Sequence, residues 1–280
     1  MRLPEWIKTN VRVDTRNTKQ LLRRHGLSTV CEEARCPNKA ECFSKPTATF
    51  MILGSSCTRN CGFCNVKFSN PGPPDEKEPE NIANAAEEMG LRYIVVTSVT
   101  RDDLPDGGAE HFARTITAIR KKLPDAKVEV LTPDFNGDPD ALEKVLEAKP
   151  DIYNHNMETV ERLYPLVRPK AVYSRSMRLL KLAGEIAPDV YTKSGIMLGL
   201  GEKYEEVIRL LAELRGVECD FITIGQYLRP AKDNLPVVEY IRPEVFEELR
   251  TEAVKMGFRH AASGPLVRSS MNAEEMYGHV

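Results

Sequence analysis

From residue 48 onward, short runs of apolar and β-branched residues alternate with longer segments whose apolar residues recur at helical spacing. Runs such as Tyr93–Ser98 have the length and composition of buried strands, whereas the longer segments fit helices with one apolar face. Local signals mark some helix ends, because Asp138 suits an N-cap before Pro139 and Gly90 suits a left-handed end. The pattern predicts strands over residues 48–53, 93–98, 127–131, 152–155, 191–198 and 221–225. It predicts helices over residues 79–89, 109–123, 139–148, 174–186, 203–215 and 243–256.

This strict alternation of strand and helix places the chain in the α/β class. Strand–helix–strand units connect right-handedly and set parallel strands side by side under a cover of helices. Six units are fewer than the eight of a closed barrel, so we predict an open, partial (β/α)6 barrel with N-terminal and C-terminal extensions. A doubly wound open sheet is the structural alternative. The predicted domains are an N-terminal extension over 1–47, the barrel over 48–256 and a C-terminal extension over 257–280.

The charge balance and the hydropathy argue against two classes of partner. The 39 basic and 41 acidic residues give a net charge of -2, which offers no positive field to nucleic acid. No apolar run approaches the roughly 18 residues that a membrane helix needs. The N-terminus lacks the continuous apolar segment of a secretory signal, so we expect a cytoplasmic location, with an organellar transit peptide as the alternative. We therefore expect no nucleic acid and no membrane among the partners.

Six of the seven cysteines are crowded between Cys31 and Cys64. A disulfide framework would distribute its crosslinks over the fold, so this crowding indicates metal ligands. The second group, Cys57, Cys61 and Cys64, has the spacing C-x3-C-x2-C and directly follows the first predicted strand. A structural zinc site normally has four ligands, and no Cys or His follows Cys64 within ten residues. Three thiolates with an open position favour a [4Fe–4S] cluster that has one iron available to a small molecule.

The first group, Cys31, Cys36 and Cys42, has the spacing C-x4-C-x5-C and also lacks a fourth thiol. By the same argument it indicates a second cluster with an open position. A zinc site completed by a distant residue such as His25 is the alternative that the spacing leaves open.

Several stretches of the sequence resemble a known family. The second cysteine group, with Phe63 before its last cysteine, resembles the signature of radical S-adenosylmethionine (SAM) enzymes. CEEARCPNKAEC followed by CTRNCGFC resembles the double signature of lipoyl synthases, which are members of that superfamily. The resemblance continues through nearly the whole chain in TSVTRDDLPDGGA, NHNMETV, KSGIMLGLGE, GQYLRP and GPLVRSS. It implies that the partial barrel is of the radical SAM type.

The resemblance implies an enzyme that inserts two sulfur atoms, at C6 and C8 of an octanoyl-lysine on a lipoyl carrier protein. Its implied cofactors are SAM and two [4Fe–4S] clusters, of which the second donates the sulfur. The implied metal ligands are Cys31, Cys36, Cys42, Cys57, Cys61, Cys64 and Ser270. Ser270 would bind the fourth iron of the second cluster and, with the three cysteines of the SAM cluster, act in catalysis. Ser269 is expected to do no more than cap a turn.

Five further residues are expected to contact SAM. Gly107 and Gly108 follow the second predicted strand, where glycine permits close approach of the backbone to a ligand, although a tight turn explains them equally well. Asn154 follows the fourth strand, and Arg175 and Ser176 lie where a helix begins and are expected at the methionine carboxylate.

The implied reaction also defines the expected protein partners. They are octanoylated lipoyl carrier domains (2-oxoacid dehydrogenase E2 subunits and the glycine cleavage H protein), a reduced ferredoxin or flavodoxin, and an iron–sulfur cluster carrier. Two alternatives remain at this point. One is another sulfur-inserting radical enzyme similar to biotin synthase, which lacks the first cysteine group. The other is a non-catalytic metal-binding module.

Overall fold

The computed structural model describes residues 3–7, 15–44 and 49–270. Its backbone contacts divide the chain into two compact units. The N-terminal unit comprises residues 10–59 and 65–153, and the C-terminal unit comprises residues 1–9, 60–64 and 154–280. This division differs from the predicted domains, which stay a prediction, and the predicted boundary at residue 47 lies outside the described residues.

The N-terminal unit contains a parallel sheet with one antiparallel edge strand. Its elements are α1 (Arg16–Arg24), β1 (Ser28–Thr29), α2 (Val30–Glu33), α3 (Lys39–Ser44), β2 (Thr49–Ile52), β3 (Ser56–Cys57), β4 (Lys67–Phe68), α4 (Glu78–Glu88), β5 (Tyr93–Ser98), α5 (Ala109–Lys122), β6 (Lys127–Leu131), α6 (Pro139–Glu147) and β7 (Ile152–Asn154), whose last residue belongs to the other unit. Strands β2, β5 and β6 pair in parallel, and β1 pairs with β2 in the antiparallel direction. Strands β3 and β4 form a separate small ladder.

The two faces of this sheet differ in polarity because side chains alternate along a strand. One face carries fully buried apolar residues such as Ile94, Val96 and Val128, as expected under a cover of helices. The other face carries polar groups: the Tyr93 hydroxyl donates to Glu129 Oε2 at 2.7 Å, and Glu129 is 0% exposed. A barrel with a polar inner face can accommodate polar ligands at the carboxyl ends of its strands.

The C-terminal unit repeats the strand–helix pattern. Its elements are α7 (Tyr164–Val167), α8 (Tyr173–Ile186), β8 (Tyr191–Leu198), α9 (Tyr204–Gly216), β9 (Phe221–Gln226), α10 (Pro243–Lys255) and β10 (His260–Gly264). Strands β8, β9 and β10 are parallel. Ile196 and Ile224 of the sheet, with Leu211 and Phe246 of the helices, are part of one buried apolar cluster.

The structure contains all the predicted strands and helices, with each end within one residue of its predicted position. The two predicted helix-end signals are present in the structure. The Asp138 side chain accepts a hydrogen bond from Asp140 N, and Gly90 is left-handed with a φ of 66°. The sequence predicted none of α1–α3, α7, β1, β3, β4 or β10. Strand β10 has the sequence HAASG, which lacks the β-branched and aromatic residues on which a strand prediction depends.

Candidate cluster-binding site

In the N-terminal unit, the cysteine loop begins directly after β2 with two left-handed residues, Leu53 (φ 68°) and Gly54 (φ 90°). Cys57 then lies in β3, and its Sγ accepts backbone N–H groups from Arg59 at 3.4 Å and from Thr100 at 3.3 Å. Hydrogen bonds to the sulfur of a metal ligand disperse its negative charge. Cys57 therefore has the environment of a thiolate ligand.

Arg59, between the first and second cysteines of the loop, is held in place by acidic side chains. It is 6% exposed, and it donates to both oxygens of Asp102 at 2.8 and 2.7 Å and to Asp134 Oδ1 at 2.7 Å. Burial acts to lower the pKa of Arg59, but these hydrogen bonds and charges hold it above its ordinary value. Burial likewise acts to raise the pKa of Asp102, and the hydrogen bond from Arg59 holds it below its ordinary value. Both groups are therefore charged at neutral pH.

A second arginine ties the two ends of the cysteine loop. The Arg101 guanidinium donates to Leu53 O at 3.3 Å, at the start of the loop, and to Gly72 O at 3.0 Å, at its end. Two further hydrogen bonds, at 2.9 and 2.8 Å, join it to the Asp103 carboxylate. Arg101 is 2% exposed, so the tie lies inside the N-terminal unit.

In the C-terminal unit, the segment with Cys61 and Cys64 is fixed through its backbone. Gly62 N donates to Val167 O and Gly62 O accepts from Leu235 N, both at 2.9 Å. Asn234 Nδ2 donates to Cys64 O at 2.7 Å. A Cβ on Gly62 would lie 2.8 Å from Leu235 Cδ1 and 3.2 Å from Leu166 O, so a larger residue here would require Leu235 to shift.

The three thiols of the first cysteine group lie near one another in the N-terminal unit. Burial raises the pKa of Cys31 to about 12, with further contributions from Cys36 and Cys42, so the three thiols lie within electrostatic range of one another. Strand β1, which ends at Thr29 just before Cys31, pairs with β2 and so attaches the first cysteine group to the sheet. Asn65, directly after the second cysteine group, donates to Glu33 O at 2.9 Å within the first.

The zinc alternative made His25 the fourth ligand of the first cysteine group. In the structure the His25 Nε2 lies 2.9 Å from Glu88 Oε2 instead, so this nitrogen is engaged with a carboxylate. In the part of the chain that the structure describes, no three His, Cys, Asp or Glu side chains converge on a point where one metal ion fits. A cubane cluster does not need such convergence, since each thiolate binds a different iron. All seven cysteines are free thiols, and two groups of three have the donor chemistry that such clusters require.

Ser269 has a different place from the one expected. Its hydroxyl donates to Asn156 Oδ1 at 3.1 Å, and Asn156 Nδ2 donates to Glu158 Oε1 at 3.1 Å. A Cβ on Gly195 of β8 would lie 2.7 Å from the Ser269 Oγ, so the serine packs directly on that strand. The expectation that Ser269 does no more than cap a turn was wrong, because its hydroxyl bonds to Asn156. This bond attaches the C-terminal segment, here residues 265–270, to the rest of the C-terminal unit. Ser270 follows it, half-buried, and its role as a ligand stays a prediction.

The residues expected at SAM have identifiable structural roles. Gly107 (φ 61°) and Gly108 (φ 92°) form the turn before α5, and a Cβ on Gly108 would lie 2.3 Å from Leu53 Cδ1. Ser176 is fully buried, and its hydroxyl lies 2.9 Å from His155 Nε2. Asn154 is fully buried at the end of β7, and Arg175 is half-buried in α8. Contact of these residues with SAM stays a prediction.

The spacing of the cysteines does not identify Asp102, Asp134 and Asn136 as neighbours of the cysteine loop. Asn136 Oδ1 accepts from Arg59 at 2.9 Å. A signal was present, because Asp102 follows β5 and the other two follow β6. The carboxyl ends of neighbouring parallel strands meet at one edge of a sheet, so polar residues directly after such strands are candidates for a shared site.

Comparisons with known proteins agree with this architecture. A sequence profile of the radical SAM superfamily matches residues 51–214, and a profile of the N-terminal domain of lipoyl synthase matches residues 1–36. Among solved structures, the [FeFe]-hydrogenase maturase HydG aligns with a TM-score of 0.59 at 16% identity, covering 74% of this chain and 49% of that chain. Methylornithine synthase (PylB) aligns with a TM-score of 0.54 at 14% identity, covering 94% and 85%. At these identities the likeness shows the fold alone. Together with the radical SAM profile it confirms the predicted partial barrel of the radical SAM type.

Relatives of higher identity define the family. Lipoyl synthase of Alkaliphilus metalliredigens is 56% identical over 277 residues, covering 98% of this chain and 95% of the relative. Lipoyl synthase of Klebsiella pneumoniae subsp. pneumoniae is 51% identical over 278 residues, covering 98% and 87%. Identity at this level, over nearly the whole chain, leaves no place for the biotin synthase-like and non-catalytic alternatives. The chain belongs to the lipoyl synthase family of radical SAM enzymes.

Proposed function

We propose that this protein is a lipoyl synthase that inserts two sulfur atoms at C6 and C8 of an octanoyl-lysine on a lipoyl carrier protein. The observation that carries the proposal is the presence of two separate groups of three free thiols in a chain of this family. A single group suffices for SAM chemistry, so the second group requires a further role. Supply of the inserted sulfur is the role that matches the family's reaction.

Membership of the radical SAM superfamily implies one [4Fe–4S] cluster and SAM. Cys57, Cys61 and Cys64 would hold that cluster, which would supply the one electron that cleaves SAM. The adenosyl fragment would leave as 5′-deoxyadenosine, beside methionine, once it has taken a hydrogen atom from the octanoyl chain. Backbone N–H groups of Arg59 and Thr100 stabilise the charge on the Cys57 thiolate. The five residues expected at SAM, namely Gly107, Gly108, Asn154, Arg175 and Ser176, would bind and orient it.

The second [4Fe–4S] cluster would be held by Cys31, Cys36, Cys42 and Ser270. A hydroxyl oxygen is a harder donor than a thiolate and binds iron of a sulfide cluster less tightly. Ser270 therefore gives the cluster one weakly held corner, which suits a cluster that is consumed as the sulfur source.

The family acts on lipoyl carrier proteins. The octanoylated domains are those of 2-oxoacid dehydrogenase E2 subunits and the glycine cleavage H protein. The electron comes from a reduced ferredoxin or flavodoxin, a cluster carrier rebuilds the second cluster, and the reaction takes place in the cytoplasm. None of the helices in the described ranges has the length and apolar character needed to cross a membrane.

Anaerobic turnover on an octanoyl-lysine peptide, analysed by mass spectrometry, tests this function. The wild-type protein should add two sulfur atoms, and Cys36→Ala should still produce 5′-deoxyadenosine but transfer no sulfur. Cys219→Ala is the matched control, because this fully buried cysteine lies in neither group and its loss should leave sulfur transfer intact. Sulfur insertion by Cys36→Ala at the wild-type rate would show that the first group is structural.

A further inference from the structure

We propose that Asp102 is a positioning residue for the cluster held by Cys57, Cys61 and Cys64. It holds the residues after Cys57 so that two backbone N–H groups point at the Cys57 sulfur, and it thereby raises the reduction potential of the cluster. This inference rests on the proposed function, because it requires a cluster at these cysteines.

Asp102 contacts both residues that follow Cys57. Its two carboxylate oxygens accept from Arg59 Nε and Nη2 at 2.8 and 2.7 Å. Its Oδ2 lies 3.2 Å from the Thr58 hydroxyl, which shares its one hydrogen between this carboxylate and Thr100 O, and the backbone N–H of Asp102 donates to Thr58 Oγ1 at 3.1 Å. Asn136 Nδ2 donates to Asp102 Oδ1 at 3.1 Å, which fixes the orientation of the carboxylate.

These contacts determine where the two N–H donors to Cys57 lie. One donor belongs to Arg59, whose side chain Asp102 holds. The other belongs to Thr100, whose carbonyl accepts from both the backbone N–H of Thr58 at 3.1 Å and its hydroxyl at 3.0 Å. Loss of the Asp102 carboxylate would release the Arg59 side chain from one of its two carboxylates and remove one contact of the Thr58 side chain. The segment that carries the Arg59 donor and bonds to Thr100 would therefore be held less firmly.

Hydrogen bonds to a cluster sulfur favour the reduced state, because reduction adds negative charge that the N–H dipoles stabilise. Loosening the two donors should lower the potential and make the cluster harder to reduce. The direct effect of charge has the opposite sign. Removing the Asp102 carboxylate takes away a negative charge near the cluster, which by itself favours the added electron and raises the potential. The sign of the shift therefore separates the positioning role from a simple charge effect.

The test is a redox titration of the full-length enzyme with both clusters, followed by electron paramagnetic resonance. The signal of the cluster of interest is identified by its change on addition of SAM. Asp102→Ala should shift the midpoint potential to a more negative value. We expect a roughly tenfold lower ratio of reduced to oxidised cluster at a fixed donor potential, which is about 59 mV for one electron. Asp103→Asn is the control for charge, since it removes a negative charge from the adjacent residue while its amide oxygen can still accept from Arg101. This control should show no negative shift.

Thr58→Val provides a second variant that does not alter charge. It removes the hydroxyl that bonds Thr100 O and Asp102 while keeping the shape of the side chain. It should also shift the potential to a more negative value, and it decides the question if Asp102→Ala fails to fold. An unchanged or more positive potential in both folded variants would overturn the inference. Failure of the proposed function has a different signature, namely a wild-type protein without a SAM-responsive cluster signal.

Discussion

Replacement of Ser269 by alanine tests whether this serine anchors the C-terminal segment. The Ser269 hydroxyl donates to Asn156 Oδ1 at 3.1 Å, and Asn156 is only 8% exposed. The other end of the Asn156 amide is engaged with Glu158, so the amide cannot turn to find another donor without losing that bond. Ser269→Ala therefore leaves a buried acceptor unsatisfied, which costs about 1–3 kcal/mol. In a domain of 150–250 residues, each kcal/mol lowers Tm by roughly 2–4 °C.

The assay is thermal unfolding of the cluster-free protein, followed by circular dichroism, so that cluster loss does not enter the measurement. Ser270→Ala is the matched control, because it removes an adjacent half-buried hydroxyl and should change stability by no more than about 0.5 kcal/mol. In the enzyme with both clusters the order should reverse, with Ser270→Ala losing iron from the second cluster. A Ser269→Ala protein that unfolds at the wild-type Tm would refute the anchoring role.

Two further predictions concern Ser270 and Gly108. Ser270→Cys should bind the removable iron more tightly, because thiolate is the preferred donor, so the first hydrogen abstraction proceeds while sulfur transfer slows. Mössbauer spectra identical to those of the wild type, together with full product formation, would place the serine outside the cluster. Gly108→Ala should lower the free energy of unfolding by well over about 1 kcal/mol, because the residue has a φ of 92° and its Cβ would lie 2.3 Å from Leu53 Cδ1. Gly54→Ala is its control, with a φ of 90° and nothing within 4 Å, and equal losses of stability in the two variants would contradict the packing argument.

The elements that the sequence predicted are those with a strong local signal. The helix after Asp138 is an example, since its N-cap, its first-turn proline and its apolar face all lie within one short segment. Strand β10 has no such signal, because its Ala, Ser and Gly residues form a strand only through pairing with β9. Tertiary pairing of this kind overrides intrinsic propensity and cannot be read from the segment itself.

The candidate site shows the same limit at the level of single side chains. The spacing of the cysteines predicted two groups of thiols, and the structure describes both. The bond between Arg59 and Asp102 joins residues 43 positions apart, and that between Ser269 and Asn156 joins residues 113 positions apart. Local sequence patterns carry no information about contacts between residues so far apart, so they indicate only a turn at Ser269 and give no role to Asp102.

The tie that Arg101 makes between Leu53 and Gly72 has a consequence for how this family can vary in length. The buried Arg101 guanidinium joins the residues on either side of segment 54–71, and these two bonds do not depend on the sequence of that segment. The entropy of closing a loop grows only slowly with its length, by about 0.6 kcal/mol for each doubling. Strand β4 and Ser69 bond to Cys57 and its neighbour, so insertions are expected to leave the Cys57–Arg59 segment unchanged only after Ser69, between Asn70 and Gly72. This short stretch is therefore the suitable place for lineage-specific variation or for an engineered tag.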